Sequence, residues 1–413
     1  DFGLLGKDGK LIENPYHYRD VRTDNINLEA YKRIPKNQLY DITGLQYLQF
    51  NTIFQLLSLS VNRPHVFDNA ETLLFIPDLL NYFLTGIKKT EYTIASTSAL
   101  LDAKTRTWAK ELFEPMGIPE RLFTEIVNPG NILGGLSGDI LSEVGGVNAK
   151  IVNVAGHDTG SAIAAVPVKA KDENFVYISS GTWSLMGIET KQPIINEKSA
   201  LYDFTNEGGA NDTIRFLRNV AGLWLEQESK RQWEREGEKL SFGELSQMAK
   251  RAKPLQSFIN VDSPEFVSPG NMPERIRKFC KKTNQYVPET KGEIIRCIFD
   301  SLALKYKSTL MQINELRGFD AKHIHIVGGG TQETLLCQYT ADACNIPVYA
   351  GPVEATAAGN IAVQMMSQGE ISGLGEAREI IADSFDVALY EPKSAALWND
   401  AYDRYNKIAA NIN

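Results

Sequence analysis

The stretch Ile151-Val152-Asn153-Val154-Ala155-Gly156-His157-Asp158-Thr159-Gly160-Ser161 runs from a short β-branched segment into a turn of glycines and small polar residues. Two later stretches repeat the pattern. Phe175-Val176-Tyr177-Ile178 leads into Ser179-Ser180-Gly181-Thr182-Trp183-Ser184, and His323-Ile324-His325-Ile326-Val327 leads into Gly328-Gly329-Gly330-Thr331-Gln332. A strand that ends in a small-residue turn presents bare backbone N–H groups to an anion, phosphate above all. Of the three turns, the first also carries a carboxylate, Asp158, between His157 and Thr159.

The periodicity around these turns predicts the architecture. Residues 1–14 read as a β-hairpin with Lys7-Asp8-Gly9-Lys10 at its tip, and the chain opens inside a strand without an initiator Met, so upstream residues are expected. Helical spacing dominates 26–125. It includes a helix over 50–59 with Ile53, Phe54, Leu56 and Leu57 inward, and a helix over 76–84 opened by Pro77 and stopped by Gly86. Short helices are expected over 107–113 and 120–126, then a Gly/Pro-rich connector over 128–150. A second hairpin fits 175–190. A long amphipathic helix is expected over 213–232, a shorter one over 242–252, a loop over 255–273, and a strong helix over 291–317 closed by Gly318. Beyond it come a strand (323–327), a helix (332–344), a strand (348–350), a helix (355–366) and a final amphipathic helix (394–410). This order predicts an α/β fold with helices on the faces of a sheet, and the hairpins make the strand directions mixed. A domain boundary is expected near 166–170, where Pro167 and Lys169-Ala170-Lys171-Asp172 intervene, giving domains 1–166 and 167–413.

The chain has 413 residues, 43% hydrophobic and 23% charged, with a net charge of −8. That length allows two or three domains, and the acidic balance argues against a nucleic-acid or anionic-membrane partner. Four cysteines are sparse for this length. They read as free thiols in a reducing cytosol, with a Cys280–Cys297 bridge as the minor alternative. Cysteine and histidine spacing suggests no structural metal. No apolar run approaches the ~20 residues needed to span a bilayer; the richest, 73–84, is broken by Pro77, Asp78 and Asn81.

Several chemistries can be tested against the motifs. The Walker phosphate loop is absent. A dinucleotide fingerprint nearly appears at Gly328-Gly329-Gly330-Thr331-Gln332, but Glu333 stands where its third glycine belongs. Gly156-His157-Asp158-Thr159-Gly160 has the spacing of a nucleophile elbow, which would make Asp158 the nucleophile of a hydrolase. That reading needs a later histidine on a loop, whereas His323 and His325 lie within an apolar strand. Phosphoryl transfer to a hydroxyl uses the residues better, because it needs positioning, charge stabilisation and one base near the acceptor. Asp158 supplies the base, Thr182 a hydroxyl and N–H for a phosphate, and the glycine triplet a close approach to a nucleotide. Each turn also has a structural reading: an Asx-turn or helix cap at Asp158, a plain hairpin bend at Thr182, a strand-to-helix connector at Gly329.

These residues sit among longer stretches that resemble a known family. They are Tyr18-Arg19-Asp20-x-Arg22-Thr23, Phe50-Asn51-Thr52, Pro77-Asp78 to Leu84-Thr85-Gly86, Glu91-Tyr92-Thr93, His157-Asp158-Thr159, Ser179 to Gly187, Asn206-Glu207-Gly208-Gly209, and Arg218-Asn219-Val220-Ala221-Gly222-Leu223-Trp224. They continue through Cys297 to Ala303, His325 to Gln332 and Ala350 to Ala355. With them, nearly the whole chain resembles the FGGY carbohydrate kinases of the hexokinase–actin–heat-shock-protein superfamily. The Ser179–Gly187 and Asn206–Gly209 stretches are similar to the branch of that family that phosphorylates L-rhamnulose.

The resemblance implies two ribonuclease-H-like α/β domains with an active-site cleft between them, the first on the sugar side and the second on the nucleotide side. It implies ATP-dependent phosphorylation of L-rhamnulose at O1, in the cytoplasm, with ATP as donor, Mg2+ as metal and a monomeric protein. By motif, Asp158 corresponds to the proton acceptor, His157, Thr159 and Asn219 to sugar contacts, and Thr182, Gln227 and Gly329 to ATP contacts. On the helix expected over 213–232, Asn219 and Gln227 would stand roughly 12 Å apart along the axis. Glu333 departs from the family, which has Asn there. The family's first phosphate loop and a substrate-touching glycine are expected upstream of Asp1. Kinases for L-fuculose or L-xylulose, and a sugar- or nucleotide-binding fragment without catalysis, are the alternatives.

Overall fold

Burial sorts the elements before topology does. In the computed structural model, which describes residues 1–410 apart from 19, 169–171 and 173, the chain divides into two compact units. The first comprises Asp1–Ala165, Glu189–Leu217 and Thr356–Ala377; the second comprises Val166–Ile188, Arg218–Ala355 and Arg378–Asn413. Arg19 of the Tyr18-Arg19-Asp20 stretch and Lys169 to Lys171 at the expected boundary lie outside the described residues.

The first unit is mainly helical around a large apolar core, with smaller clusters beside it. Helix Thr52–Asn62 buries Ile53, Phe54, Leu56, Leu57 and Leu59, and these pack with Phe2, Leu4, Leu73, Phe75, Leu112, Phe113 and Met116. The opening strand Phe2–Leu5 does not form the hairpin expected over 1–14. It pairs antiparallel with Thr72–Phe75, Phe2 opposite Phe75 and Leu5 opposite Thr72. Only a turn, closed by Gly6 N–H to Lys10 O, and a single bridge from Leu5 to Leu11 remain of the hairpin. The 7–14 arm contributes only Leu11 to the packing beside the strand, whereas Leu73 and Leu74 are both fully buried against it. Helix Ile76–Thr85 takes Pro77 in its first turn and ends at Gly86, whose φ of 75° needs glycine.

Three local expectations in this unit change. Thr107–Trp108 is a strand paired with Leu101–Asp102, followed by short helical turns at Lys110–Leu112 and Phe113–Met116. Glu120–Leu122 is one 3-10 turn leading into Ile126–Val127, which pairs with Thr90–Glu91. The 128–150 connector contains strand Asn131–Gly135, bulged and paired with Lys150–Asn153, and helix Gly138–Glu143. Lys150–Asn153 then delivers the chain to helix Asp158–Ala164. Helix Ala355–Gln368 crosses it so closely that a Cβ on Gly359 would lie 1.8 Å from Ser161 O.

The second unit is an α/β sheet. Phe175–Ser180 and Trp183–Thr190 form the expected hairpin. Phe175–Ser180 runs parallel to His323–Val327, which runs parallel to Val348–Ala350, and Ala388–Tyr390 adds antiparallel. Helix Lys291–Arg317 starts in a capping box between Thr290 and Glu293 and ends at Gly318, φ 81°. Its middle is buried almost all round.

The largest correction concerns 213–232. Residues Ile214–Ala221 are a strand, Gly222 and Leu223 a turn, and only Trp224–Arg235 is helical. Phe216, Leu217, Val220 and Ala221 have helical spacing in the sequence, so the strand merges with the helical period after 224 and the break is hidden. The strand begins in the first unit, where it pairs antiparallel with Thr205–Gly208, and ends in the second. The loop expected over 255–273 ends in helix Met272–Lys282, with Pro273 in its first turn. Helix Leu374–Ser384 and strand Ala388–Tyr390 have no counterpart in the expectations. No described helix is long and apolar enough to cross a membrane. All four cysteines are free thiols, Cys280 and Cys297 among them.

Candidate active site

The turn that carries Asp158 is tied down from beneath. Glu91, fully buried, accepts hydrogen bonds from the backbone N–H groups of Thr93 (2.7 Å), Ile94 (3.0 Å) and Gly156 (2.9 Å) and from the Thr93 hydroxyl (2.6 Å). The Thr93 hydroxyl oxygen accepts from His157 N–H at 3.1 Å. One carboxylate thus caps the helix after Tyr92 and fixes the backbone on which His157 and Asp158 stand. Burial pushes the Glu91 carboxyl above the usual range. Asp78, which accepts from Glu91 N–H at 3.0 Å, is pushed up to about 8 by burial and by the neighbouring Glu91 charge.

Asp158 opens helix Asp158–Ala164, and its Oδ1 accepts from its neighbour's backbone N–H, Thr159, at 2.7 Å. Its side chain is 80% exposed, so the carboxylate is free to meet a ligand. His157 sits beside it, with Nε2 3.9 Å from Asp158 Oδ1. Behind His157 stand Arg215, fully buried, and Glu207, directly opposite each other on paired strands. Arg215 reaches His157 Nδ1 at 2.8 Å, donates to Gly208 O at 2.7 Å, and pairs with Glu207 at 3.2 Å. Burial would raise the Glu207 carboxyl, but it is held below the usual range, with the Arg215 guanidinium beside it favouring the charged form.

In the second unit the other two small-residue turns meet a third. Thr182 Oγ1 donates to Gln227 Oε1 at 3.1 Å. Leu223 N–H donates to Gly181 O (3.0 Å) and Trp224 N–H to Thr182 O (3.1 Å). Gly222 permits this approach, since a Cβ there would lie 2.6 Å from the Trp183 carbonyl carbon. On the other side, a Cβ on Gly330 would collide with Ser180 Oγ at 1.9 Å, while one on Gly329 would meet open space. Thr182, Gln227 and Gly329 are therefore gathered at the sheet's turn end.

Asn219 lies on a strand and Gln227 on the following helix, so the 12 Å helical spacing expected between them does not exist. Next to Asn219, the half-buried Asp262 binds Lys305 Nζ at 2.6 Å, lies 3.7 Å from Arg218, and accepts from Ala221 N–H at 3.0 Å. Burial pushes its carboxyl up, but Lys305 and Arg218 overcome that and hold it low. Behind Gln227, Glu226 is fully buried, its two oxygens without hydrogen-bond partners, and burial together with the nearby Glu333 charge pushes it up to about 9. Among the described residues, no group of three or more His, Cys, Asp or Glu could hold a metal ion.

Glu91, Thr93, Glu207, Arg215 and Asp262 are supporting residues that the sequence reading did not assign. Glu91-Tyr92-Thr93 and Asn206-Glu207-Gly208-Gly209 stand out as stretches, but nothing in their spacing says which turn they support. Arg215 was hidden inside the supposed amphipathic helix, where a charge reads as solvent-facing.

The chain is similar to known sugar kinases. The chain is 44% identical over 402 residues to a rhamnulokinase of Bacteroides thetaiotaomicron, covering 97% of this chain and 82% of the relative. It is 42% identical over 390 residues to a rhamnulokinase of Halalkalibacterium halodurans, covering 94% and 82%. Among solved structures, a ligand-bound xylulose kinase from Lactobacillus acidophilus superposes with a TM-score of 0.79 at 18% identity, over 99% of this chain and 82% of that one. Plasmodium falciparum glycerol kinase with ADP superposes with a TM-score of 0.79 at 14% identity, over 100% and 81%. Residues 1–165 match the N-terminal domain of the FGGY family of carbohydrate kinases, and residues 176–368 match its C-terminal domain. These matches show that the chain belongs to the FGGY family of carbohydrate kinases, with the two-domain α/β fold of that family.

Proposed function

We propose that this protein catalyses ATP-dependent phosphorylation of L-rhamnulose to L-rhamnulose 1-phosphate, in the cytoplasmic breakdown of L-rhamnose. The observation that carries the reading is the 44% identity to a rhamnulokinase over 97% of the chain, with Asp158 standing exposed on its turn. In this reading the first domain, 1–166, holds the sugar through His157 and Thr159, with Asn219 as a further sugar contact. The second, 167–413, holds ATP through Thr182, Gln227 and Gly329.

Asp158 accepts the proton of the O1 hydroxyl as that oxygen attacks the terminal phosphorus. A carboxylate suffices for this, because in a loose transition state the proton leaves late. The backbone N–H groups of the Thr182 and Gly329 turns face phosphate oxygens and stabilise their charge without rearranging. We read Mg2+ as part of the nucleotide substrate. Magnesium keeps most of its waters and binds chiefly to phosphate oxygens, so it would enter the site with ATP. Free thiols fit a reducing compartment.

A coupled ADP-release assay with MgATP and a panel of ketoses tests the proposal. L-rhamnulose should give the highest kcat/KM, with L-fuculose and L-xylulose at least tenfold lower. A preferred substrate other than L-rhamnulose would overturn the assignment, and no ADP release with any sugar would remove the kinase reading for this chain.

A further inference from the structure

Beyond the residues that meet substrate, the chain contains a buried charge pair whose place has a chemical consequence. Arg215 and Glu207 face each other across paired strands, both shielded from solvent, and the imidazole of His157 rests on them. We propose that Arg215, held by Glu207, is a positioning residue that fixes His157 in the tautomer with its proton on Nε2. His157 then offers the sugar a hydrogen-bond donor beside the Asp158 acceptor. The inference deepens the kinase reading and rests on it for the identity of the ligand.

A guanidinium has only N–H donors and stays charged at any pH a protein survives. Its nitrogen lies 2.8 Å from His157 Nδ1. A proton on Nδ1 would set two N–H groups against each other at that distance, so Nδ1 must present its lone pair. Glu207 Oε2 is also near Nδ1, but at 3.4 Å, and it is the closer partner of Arg215 at 3.2 Å. The carboxylate therefore balances the guanidinium rather than drawing a proton onto Nδ1. A second bond from Arg215 to Gly208 O, 2.7 Å, holds the fork in orientation. In neutral imidazole the remaining proton goes to Nε2.

That nitrogen lies on the Asp158 side, 3.9 Å from Oδ1. This is too long for a direct hydrogen bond, and leaves room for oxygens of a polyol to meet both groups. Asp158 can then accept from the hydroxyl that reacts, while His157 Nε2–H donates to a lone pair of an adjacent carbonyl or hydroxyl oxygen. An α-hydroxy carbonyl or vicinal diol presents that donor–acceptor pattern. With the proton on Nδ1 instead, His157 and Asp158 would both be acceptors, and two oxygens with lone pairs would meet no N–H.

Histidine-selective 15N NMR on the whole protein tests the tautomer without needing turnover, with His157→Gln to assign the signal. The expected result is a bare, pyridine-like Nδ1 and a protonated, pyrrole-like Nε2. The reverse pattern overturns the proposal. Arg215→Lys keeps one cationic donor, and Arg215→Met combined with Glu207→Gln removes the pair without stranding a buried charge. The double variant should raise KM for the sugar roughly tenfold or more, the worth of about one hydrogen bond, while KM for ATP stays within about twofold. Arg215→Lys should recover part of the loss. An unchanged sugar KM in the double variant would also overturn the role. If the tautomer is as stated but no sugar is phosphorylated, the proposed reaction fails and the Arg215–His157 assignment stands.

Discussion

Replacing Glu226 by Gln should stabilise the protein, and the gain should grow with pH. Glu226 is fully buried, neither carboxyl oxygen has a hydrogen-bond partner, and Glu333 adds a like charge nearby. These raise its pKa from 4.5 to about 9. A raised carboxyl binds its proton more tightly in the folded chain than in the unfolded one. The stability this gives is complete below the unfolded value, about pH 4.5, and is lost progressively as pH rises toward about 9. Each pH unit across that window costs about 1.4 kcal/mol, so roughly 3 kcal/mol has gone by pH 7 and less than about 1 kcal/mol by pH 5. Glutamine has the shape of the protonated acid and cannot ionise. Chemical denaturation of parent and Glu226→Gln at pH 5, 7 and 8.5 should show a difference rising from under about 1 to about 3 kcal/mol and then further. A difference that does not change with pH would refute the argument, because it would mean that Glu226 does not carry a proton across this range.

Other substitutions probe the braces of the site. Glu91→Gln puts an NH2 group where four donors converge on one carboxylate. It should cost about 2–3 kcal/mol in denaturation and lower kcat/KM for the sugar through the His157–Asp158 turn. Gly359→Ala drives a methyl into Ser161 O, so a loss of about 1–3 kcal/mol is expected, read as a lower denaturation midpoint. Thr182→Val keeps the shape of the hairpin turn but removes the hydroxyl that Gln227 accepts. KM for ATP should rise several-fold with KM for the sugar unchanged, which initial-rate kinetics will separate.

Much of the fold is legible where one period rules a long segment. Helix Lys291–Arg317 announces itself through Thr290, Glu293 and Gly318, and hairpin 175–190 through its alternation about Gly181. Legibility fails where two periods adjoin. Ile214–Ala221 and Trp224–Arg235 are a strand and a helix separated by two residues, and neither Gly222 nor Leu223 breaks a helical pattern strongly enough to reveal the junction. It fails again where the partner is distant in sequence. Phe2–Leu5 could pair with the arm that follows it, and only the burial of Leu73 and Leu74 decides for Thr72–Phe75. The site follows the same division. Thr182 and Gly329 are legible as turns at the ends of adjacent strands, whereas Gln227 carries no local signal, and the contacts of Glu91 with Gly156 and of Arg215 with His157 span 65 and 58 residues and are invisible to local patterns.

The account depends most on Asp158 taking the proton of the attacked hydroxyl. Asp158→Asn keeps the size of the side chain and an oxygen for Thr159 N–H, but removes the base. Single-turnover phosphorylation of L-rhamnulose, beside calorimetric titration with ATP, tests it most directly. The expected result is a rate at least about 10²-fold lower, the lower end for loss of a general base, with ATP affinity within about twofold of the parent. Turnover that survives the substitution at the parent rate would contradict the claim.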